Sequence, residues 1–219
     1  AIHEIRKFAL NQQALPHTDA SYSSLEHLAN GCRNVVADLL EAWSGELHCT
    51  IKVCNGDGCN NKEEWKVYTI ARSTPLNRPA EFGLNHFHRL GHNSSFAAVS
   101  GANDRKNTWM PHVRSCFMCN DLTKHDAFDC SRDDWQSYYR SAAVFPLRYR
   151  KGGAADHETI GYLTFDTMDE ALFGRVPCVF DKWNDRAEYE KELSFSAFYH
   201  VGGIMADALA CAFLPLVTN

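Results

Sequence analysis

Two stretches decide the fold: Tyr139-Arg-Ser-Ala-Ala-Val-Phe-Pro-Leu-Arg-Tyr149, and after it Ile160-Gly-Tyr-Leu-Thr-Phe-Asp166. Each alternates in side-chain character, as a strand lying against a core does. Ala143, Phe145, Leu147 and Tyr149 fall on one face of the first; Gly161, Leu163 and Phe165 share a face of the second. Between them Arg150-Lys-Gly-Gly-Ala-Ala-Asp-His157 is polar and carries a glycine pair, the composition of a hairpin loop.

Upstream, Ser21 or Ser23 is expected to cap a helix, with Glu26 three residues after Ser23 as in a capping box. Leu25, Leu28, Cys32, Val35, Val36, Leu39, Leu40 and Trp43 then recur at three- and four-residue steps. That spacing predicts a core-facing helix over about 21–44, ended by Gly45. Glu46–Cys54 reads as a strand with Leu47, Cys49, Ile51 and Val53 on one side. The turn-rich Asn55-Gly-Asp-Gly-Cys-Asn-Asn61 leads to a return strand at Trp65–Ala71. Residues 72–115, with Pro75, Pro79, Gly83, Gly91, Gly101 and Pro111, are irregular apart from a short helix at Ser94–Ser100. A further strand is expected at Arg114–Asn120 and a short helix at Asp133–Arg140. A last helix near 194–213 should bury Phe195, Phe198, Tyr199, Gly202, Met205, Leu209 and Ala212. This order gives an α+β sandwich around a central antiparallel sheet, without repeats or an internal domain boundary.

Composition narrows the function classes. A chain of 219 residues suits one large domain. With 27 acids against 22 bases, a net charge of -5 and no basic run longer than two residues, it offers no footprint for a nucleic-acid backbone. No stretch approaches the ~20 apolar residues of a membrane span, so no membrane contact by this segment is expected. The nine cysteines are an odd count, and several sit in apolar patterns: Cys32 and Cys211 in helices, Cys49 in a strand. They read as reduced, packed thiols of a cytoplasmic protein rather than as a secreted disulfide scaffold. Because the chain begins at Ala1, it is read as cut from a longer protein.

Arg140-Ser141, the strand ending Val144-Phe-Pro-Leu-Arg148, the glycine-bearing loop, Ile160-Gly-Tyr-Leu163 and the terminal amphipathic helix together resemble the GAF domain family. The resemblance covers 21–213, leaving 1–20 as a linker or the end of an upstream segment and 214–219 as a tail. It implies a GAF-like fold with the N- and C-terminal helices packed on one face of the sheet. It also implies a cavity walled by the irregular 72–115 region and a non-enzymatic sensory or regulatory role. An unidentified small molecule in the cavity would bias the terminal helices, whose outer surfaces would serve as homodimer contacts. The cyclic-nucleotide phosphodiesterase signature is absent: Asn61-Lys62, Phe165, Asp169 and Glu170 supply its residue types in the wrong order. No cysteine lies in a Cys-His motif of the kind that attaches a bilin.

The expected ligand contacts are Asn93, Ser94, Phe96, Asn120, Asp121, Trp135 and Tyr138. Asn93 and Ser94 begin the short helix, where they either cap it or leave its N–H groups to an anion or carboxylate. Asn120 and Asp121 end a strand that borders the cavity in the resemblance, and their side chains donate and accept. They are equally the usual residues of caps and turns. Trp135, Tyr138 and Tyr139 form a cavity wall or staple a short helix to the sheet. The second reading is enzymatic, because some GAF-fold enzymes reduce free methionine sulfoxide with pocket cysteines. Cys130 would be the reactive thiol, with His125, Asp126 and Arg132 near it in sequence and Cys116 or Cys119 resolving. Against it, Gly91-His-Asn-Ser-Ser-Phe96 lacks the cysteine which that family carries in a Gly-Val-Cys-Gly turn. A third reading is a protein-interaction module with no ligand.

Cys54, Cys59, Cys116 and Cys119 superficially offer four zinc ligands, but a strand would send Cys116 and Cys119 to opposite faces, so no metal is expected. His86-Phe-His88 and His92 read as a solvated loop, and Phe180–Glu192 as a charged surface segment. No Gly-x-Ser-x-Gly, Walker or His-Glu-x-x-His motif occurs.

Overall fold

The computed structural model describes residues 19–41, 46–55, 61–74, 87–100, 116–124, 128–131, 133–150, 157–170, 172–173 and 196–217. Along the chain these form α1 (Asp19–Leu39), β1 (Leu47–Asn55), β2 (Lys66–Arg72), β3 (Phe87–Arg89) and α2 (Ser94–Ser100). Then come β4 (Phe117–Cys119), β5 (Ser141–Arg150), β6 (His157–Thr167) and α3 (Ala197–Val217). The hairpin loop at 151–156, the helix-ending Gly45, Cys59, the segment Phe180–Glu192 and residues 1–18 lie outside the described residues.

The stretches 139–149 and 160–166, apart from Tyr139 and Arg140, fall in the adjacent strands β5 and β6. β5 and β6 pair antiparallel from Ser141↔Thr167 to Arg150↔His157, with one irregularity between Leu147 and Arg148. β6 pairs in turn with β1, from Leu47↔Thr167 to Val53↔Gly161. The full order is β3-β2-β1-β6-β5-β4, antiparallel throughout.

One sheet face carries the expected apolar set: Leu47, Cys49, Ile51, Val53, Ala143, Phe145, Leu147, Leu163 and Phe165, all buried. Both terminal helices cover it, α1 over β1 and β2 and α3 over β5 and β6, and the helices touch each other. Phe198 of α3 meets Phe145 and Phe165 edge-on at 5.4 and 5.5 Å and stacks on Phe173 at 5.0 Å. Fully burying a side chain of this kind stabilises by about 1.5–3 kcal/mol. Glycine is required at two points of this packing. A Cβ on Gly161 would overlap the backbone carbonyl of Lys52, and one on Gly202 would overlap the Phe145 ring.

Several boundaries and faces differ from expectation. α1 stops at Leu39; Leu40 N still bonds Val36 O at 2.9 Å, but Glu41 turns the chain with a φ of 52°. Its buried stripe is Leu25, Ala29, Cys32, Val36 and Ala37, whereas Leu28, Val35 and Leu39 are 39%, 49% and 37% exposed. A straight helix turns only one stripe to a sheet, and the small Ala29 and Ala37 let that stripe approach closely. In α3 likewise Ala206, Leu209, Ala210 and Phe213 are buried and Ala212 is exposed; Phe195 lies outside the described residues.

The His86–His88 stretch is not simply a loop. Phe87–Arg89 forms an edge strand on Lys66–Tyr68, fixed by Leu90 N to Trp65 O at 2.8 Å and by an Arg89–Glu64 ion pair at 2.5 Å. Three residues are too few for alternation to announce a strand. The helix expected at Asp133–Arg140 reduces to a single 3-10 turn at Trp135–Ser137, because Arg140 N is taken by Thr167 O at 2.8 Å as the sheet begins. Among the described residues all seven cysteines are free thiols, and no helix is long and apolar enough to cross a membrane.

Candidate functional site: a polar cavity under a short helix

The sheet's other face is polar at its centre. Strand register lines up Arg72, Thr50, Thr164 and Val144 across β2, β1, β6 and β5. A neighbouring row runs His48, Asp166, Ala142; on the other side lies Lys52, between Thr69 and Tyr162. Alternation sends these side chains away from α1 and α3. All of them except the half-buried His48 are buried, and α2 packs on this face. Phe96 stacks on Tyr162 at 4.6 Å, Ser100 Oγ hydrogen-bonds Tyr162 Oη, and Arg148 donates to the Val99 carbonyl.

Between sheet, α2 and the segment 128–131 a cavity of about 50 Å³ remains. Its floor is Lys52, Arg72, Thr164 and Asp166; Asn93, Ser95 and Phe96 form the side under α2. Phe128, Cys130, Ser131, His88, Tyr139, Ala142, Val144 and Phe165 complete it. One water needs about 10–15 Å³ of such space, so the cavity holds a few waters or a molecule of few heavy atoms. Lys52, Arg72 and Asp166 are 5%, 6% and 5% exposed. Lys52 Nζ donates to Thr69 Oγ1 at 2.8 Å and lies 5.7 Å from the centre of the Phe96 ring.

The wall opposite the floor is built by local hydrogen bonds. Asn93 Oδ1 accepts from Phe96 N at 3.3 Å and from Ser95 Oγ at 2.6 Å, capping α2. Its Nδ2 donates toward Cys130 Sγ at 3.8 Å, and Tyr139 Oη lies 3.3 Å from the same sulfur. Ser94 clamps the loop in place: its N–H donates to Asp129 O and its hydroxyl accepts from Asp129 N, both at 2.9 Å. Ser131 Oγ bonds His88 Nδ1, joining the loop to β3.

Of the seven expected ligand contacts, Asn93 and Phe96 line the cavity. The other five are placed behind it or away from it. Ser94 is the clamp just described. Trp135 sits behind the wall, edge-on to Phe128 at 5.0 Å and 5.6 Å from Tyr139. Tyr138 is half-buried beside the Trp135 turn, its N–H on Trp135 O at 2.9 Å. Asn120 Oδ1 accepts from Phe173 N at 2.9 Å, tying the segment after β6 to β4. Asp121 accepts from Thr123 N and Oγ1 and pairs with Lys124 at 3.0 Å. Burial pushes its carboxyl up, but the Thr123 and Lys124 hydrogen bonds and the Lys124 charge outweigh this and hold it below its ordinary value. Of the two alternatives for the first turn of α2, the cap is the one formed, with the Asn93 carboxamide oxygen accepting from Phe96 N.

Of the thiols, Cys130 is half-buried at the cavity, whereas Cys116 and Cys119 are sealed in the core and do not line it. Burial pushes the Cys116 thiol well up. It also pushes Cys54 up to about 12, against the Tyr162 hydrogen bond and the Lys52 charge. His125, Asp126 and Arg132 lie outside the described residues. Among the described residues no three His, Cys, Asp or Glu side chains are placed to hold a metal ion.

Sequence reasoning missed Lys52, Arg72, Thr164, Asp166 and His88. The signal was present in Thr50-x-Lys52 and Thr164-x-Asp166, polar positions alternating with core ones on two central strands. In a sheet covered on both faces, such positions need buried hydrogen-bond partners, and a cavity lined by several of them is one outcome.

No protein-family model matches the chain, and no curated protein matches it by sequence. Among solved structures it is similar to the GAF domain of a phosphoenolpyruvate-protein phosphotransferase from Coxiella burnetii. That match has 12% identity, covers 90% of this chain and 88% of that one, and has a TM-score of 0.48. It is also similar to a type II free methionine-R-sulfoxide reductase from Thermoplasma acidophilum, at 15% identity, 87% and 95% coverage and a TM-score of 0.45. A far-red cyanobacteriochrome photoreceptor matches at 13% identity, 91% and 92% coverage and a TM-score of 0.43. With identities of 12–15% and TM-scores below 0.5, these likenesses carry no conclusion about what this chain does. The antiparallel six-stranded sheet with both terminal helices on one face is a GAF-like α+β architecture.

Proposed function

We propose that the chain is a non-enzymatic sensory or regulatory domain of a cytoplasmic protein, binding a small molecule in the cavity under α2. One observation carries the reading: charged and hydroxyl side chains of three adjacent strands converge, buried, on a space that protein atoms do not fill. The same strands supply a route outward. Val144 and Thr164 face the cavity while their chain neighbours Phe145 and Phe165 pack on Phe198 of α3. A ligand that shifts β5 and β6 therefore changes how α3 sits, and α3 touches α1. The outer faces of these helices are the homodimer contacts in this reading.

Mass spectrometry of the folded and the denatured chain tests it. A mass excess lost on denaturation, and absent from a cavity-filling Val144→Trp variant, supports ligand binding. An empty cavity that takes up no compound from a metabolite panel refutes it and leaves a protein-interaction module.

A thiol redox enzyme is the second reading, favoured by the position of Cys130 Sγ between Tyr139 Oη and Asn93 Nδ2 at the cavity. It requires Cys130 to react with iodoacetamide faster than the exposed Cys211, and free methionine sulfoxide to be reduced by the wild type but not by Cys130→Ala. The burial of Cys116 and Cys119 weighs against it, since a resolving thiol must reach the first.

A further inference from the structure

The charges on the cavity floor narrow the ligand class, an inference that rests on the ligand-binding reading above. Lys52 and Arg72 are both more than nine-tenths buried and line the cavity from adjacent strands. Asp166 is the single carboxylate among the described residues that line it. We propose that the cavity takes a compact organic monocarboxylate, its carboxylate on the Lys52–Arg72 side and its short hydrocarbon part against Phe96, Phe128 and Tyr139.

Three features select that class. Two cations against one carboxylate favour a ligand of one negative charge. A phosphate near its second ionisation brings about 1.5 negative charges, and a zwitterionic amino acid adds an ammonium beside Lys52 and Arg72. A guanidinium presents a planar fork of donors that matches the two oxygens of a carboxylate. The volume of about 50 Å³ suits a ligand of few heavy atoms.

The test is a panel of four probes at constant ionic strength: propionate, propionamide, glycine and inorganic phosphate. Each is followed by thermal unfolding and by titration calorimetry. Propionate should raise the unfolding midpoint, by about 5–10 °C at a hundredfold excess over Kd for a domain of this size. The other three should leave it unchanged. Lys52→Met and Arg72→Gln should each weaken propionate binding about 10- to 100-fold, the range for a hydrogen bond to a charged group. If Arg72→Gln does not fold, the acid–amide contrast in the wild type and the Lys52→Met variant still decide. A response to propionamide equal to that to propionate, or a stronger one to glycine or phosphate, overturns the monocarboxylate while leaving ligand binding intact. If no probe binds but the folded chain still carries a mass excess lost on denaturation, the ligand class again falls alone. No response with no mass excess overturns both.

Discussion

A methyl group added at Gly202 would overlap the Phe145 ring, which Phe165 and Phe198 already hold edge-on, whereas a methyl at Gly203 meets nothing within 4 Å. The two neighbours in α3 should therefore respond with opposite signs. Gly202→Ala overpacks the core and should cost about 1–3 kcal/mol. Gly203→Ala relieves only the entropic penalty of glycine in a helix and should stabilise by about 0.5–1 kcal/mol. Urea-denaturation midpoints of the two variants check this, and equal shifts would refute the packing described. Asp121 carries a second prediction at this scale. Its folded-state pKa is depressed, so its contribution to stability is present above the unfolded pKa and is lost as pH falls through the folded one. Asp121→Asn should accordingly flatten the decline of Tm with acidification below the ordinary carboxylate range and leave its slope near neutrality unchanged.

At the scale of elements, legibility depended on how many residues carried the pattern. β1, β5 and β6 hold enough alternating positions to be read, and Ser94–Ser100 was marked by the capping residues before it. β3 has three residues and is held by contacts distant in sequence, so nothing local announced it. Asn120 and Asp121 were picked out for their polarity, but polarity does not distinguish a side chain aimed at a ligand from one that ties two loops together. Asn93 lines the cavity and also caps α2, and this makes it testable. Asn93→Ala removes the α2 cap and should destabilise by about 0.5–2 kcal/mol, while Asn93→Asp retains the acceptor and should cost less. The alanine variant also removes the Nδ2 contact to Cys130, so that thiol should be alkylated faster than in the wild type. An unchanged alkylation rate would mean that Asn93 does not shield the sulfur.

For the whole molecule, the sequence announced two amphipathic helices but not how much of their apolar surface the sheet would use. α1 has more apolar positions than one sheet-facing stripe can bury, and Leu28, Val35 and Leu39 are left outside at steps of seven and four residues. Ile204 of α3, which touches α1, is 69% exposed. A two-fold homodimer would bring this stripe against its own copy, the self-complementary arrangement that closed symmetry requires. Val35 is 49% exposed, and substitutions at such surface positions usually change stability by no more than about 0.5 kcal/mol. Val35→Glu should thus separate association from folding: sedimentation equilibrium should show a dimer for the wild type and a monomer for the variant, with Tm little changed. Saturating the cavity provides the functional half of the test. If ligand and partner are coupled through β5, β6 and α3, linkage requires that a compound binding the cavity alter the dimer dissociation constant, and that dimerisation alter the compound's affinity by the same factor. A monomeric wild type would remove the dimer, and any signal would then have to leave through a helix presented to another protein. A dimer whose affinity ignores the cavity would retain the interface and sever it from sensing.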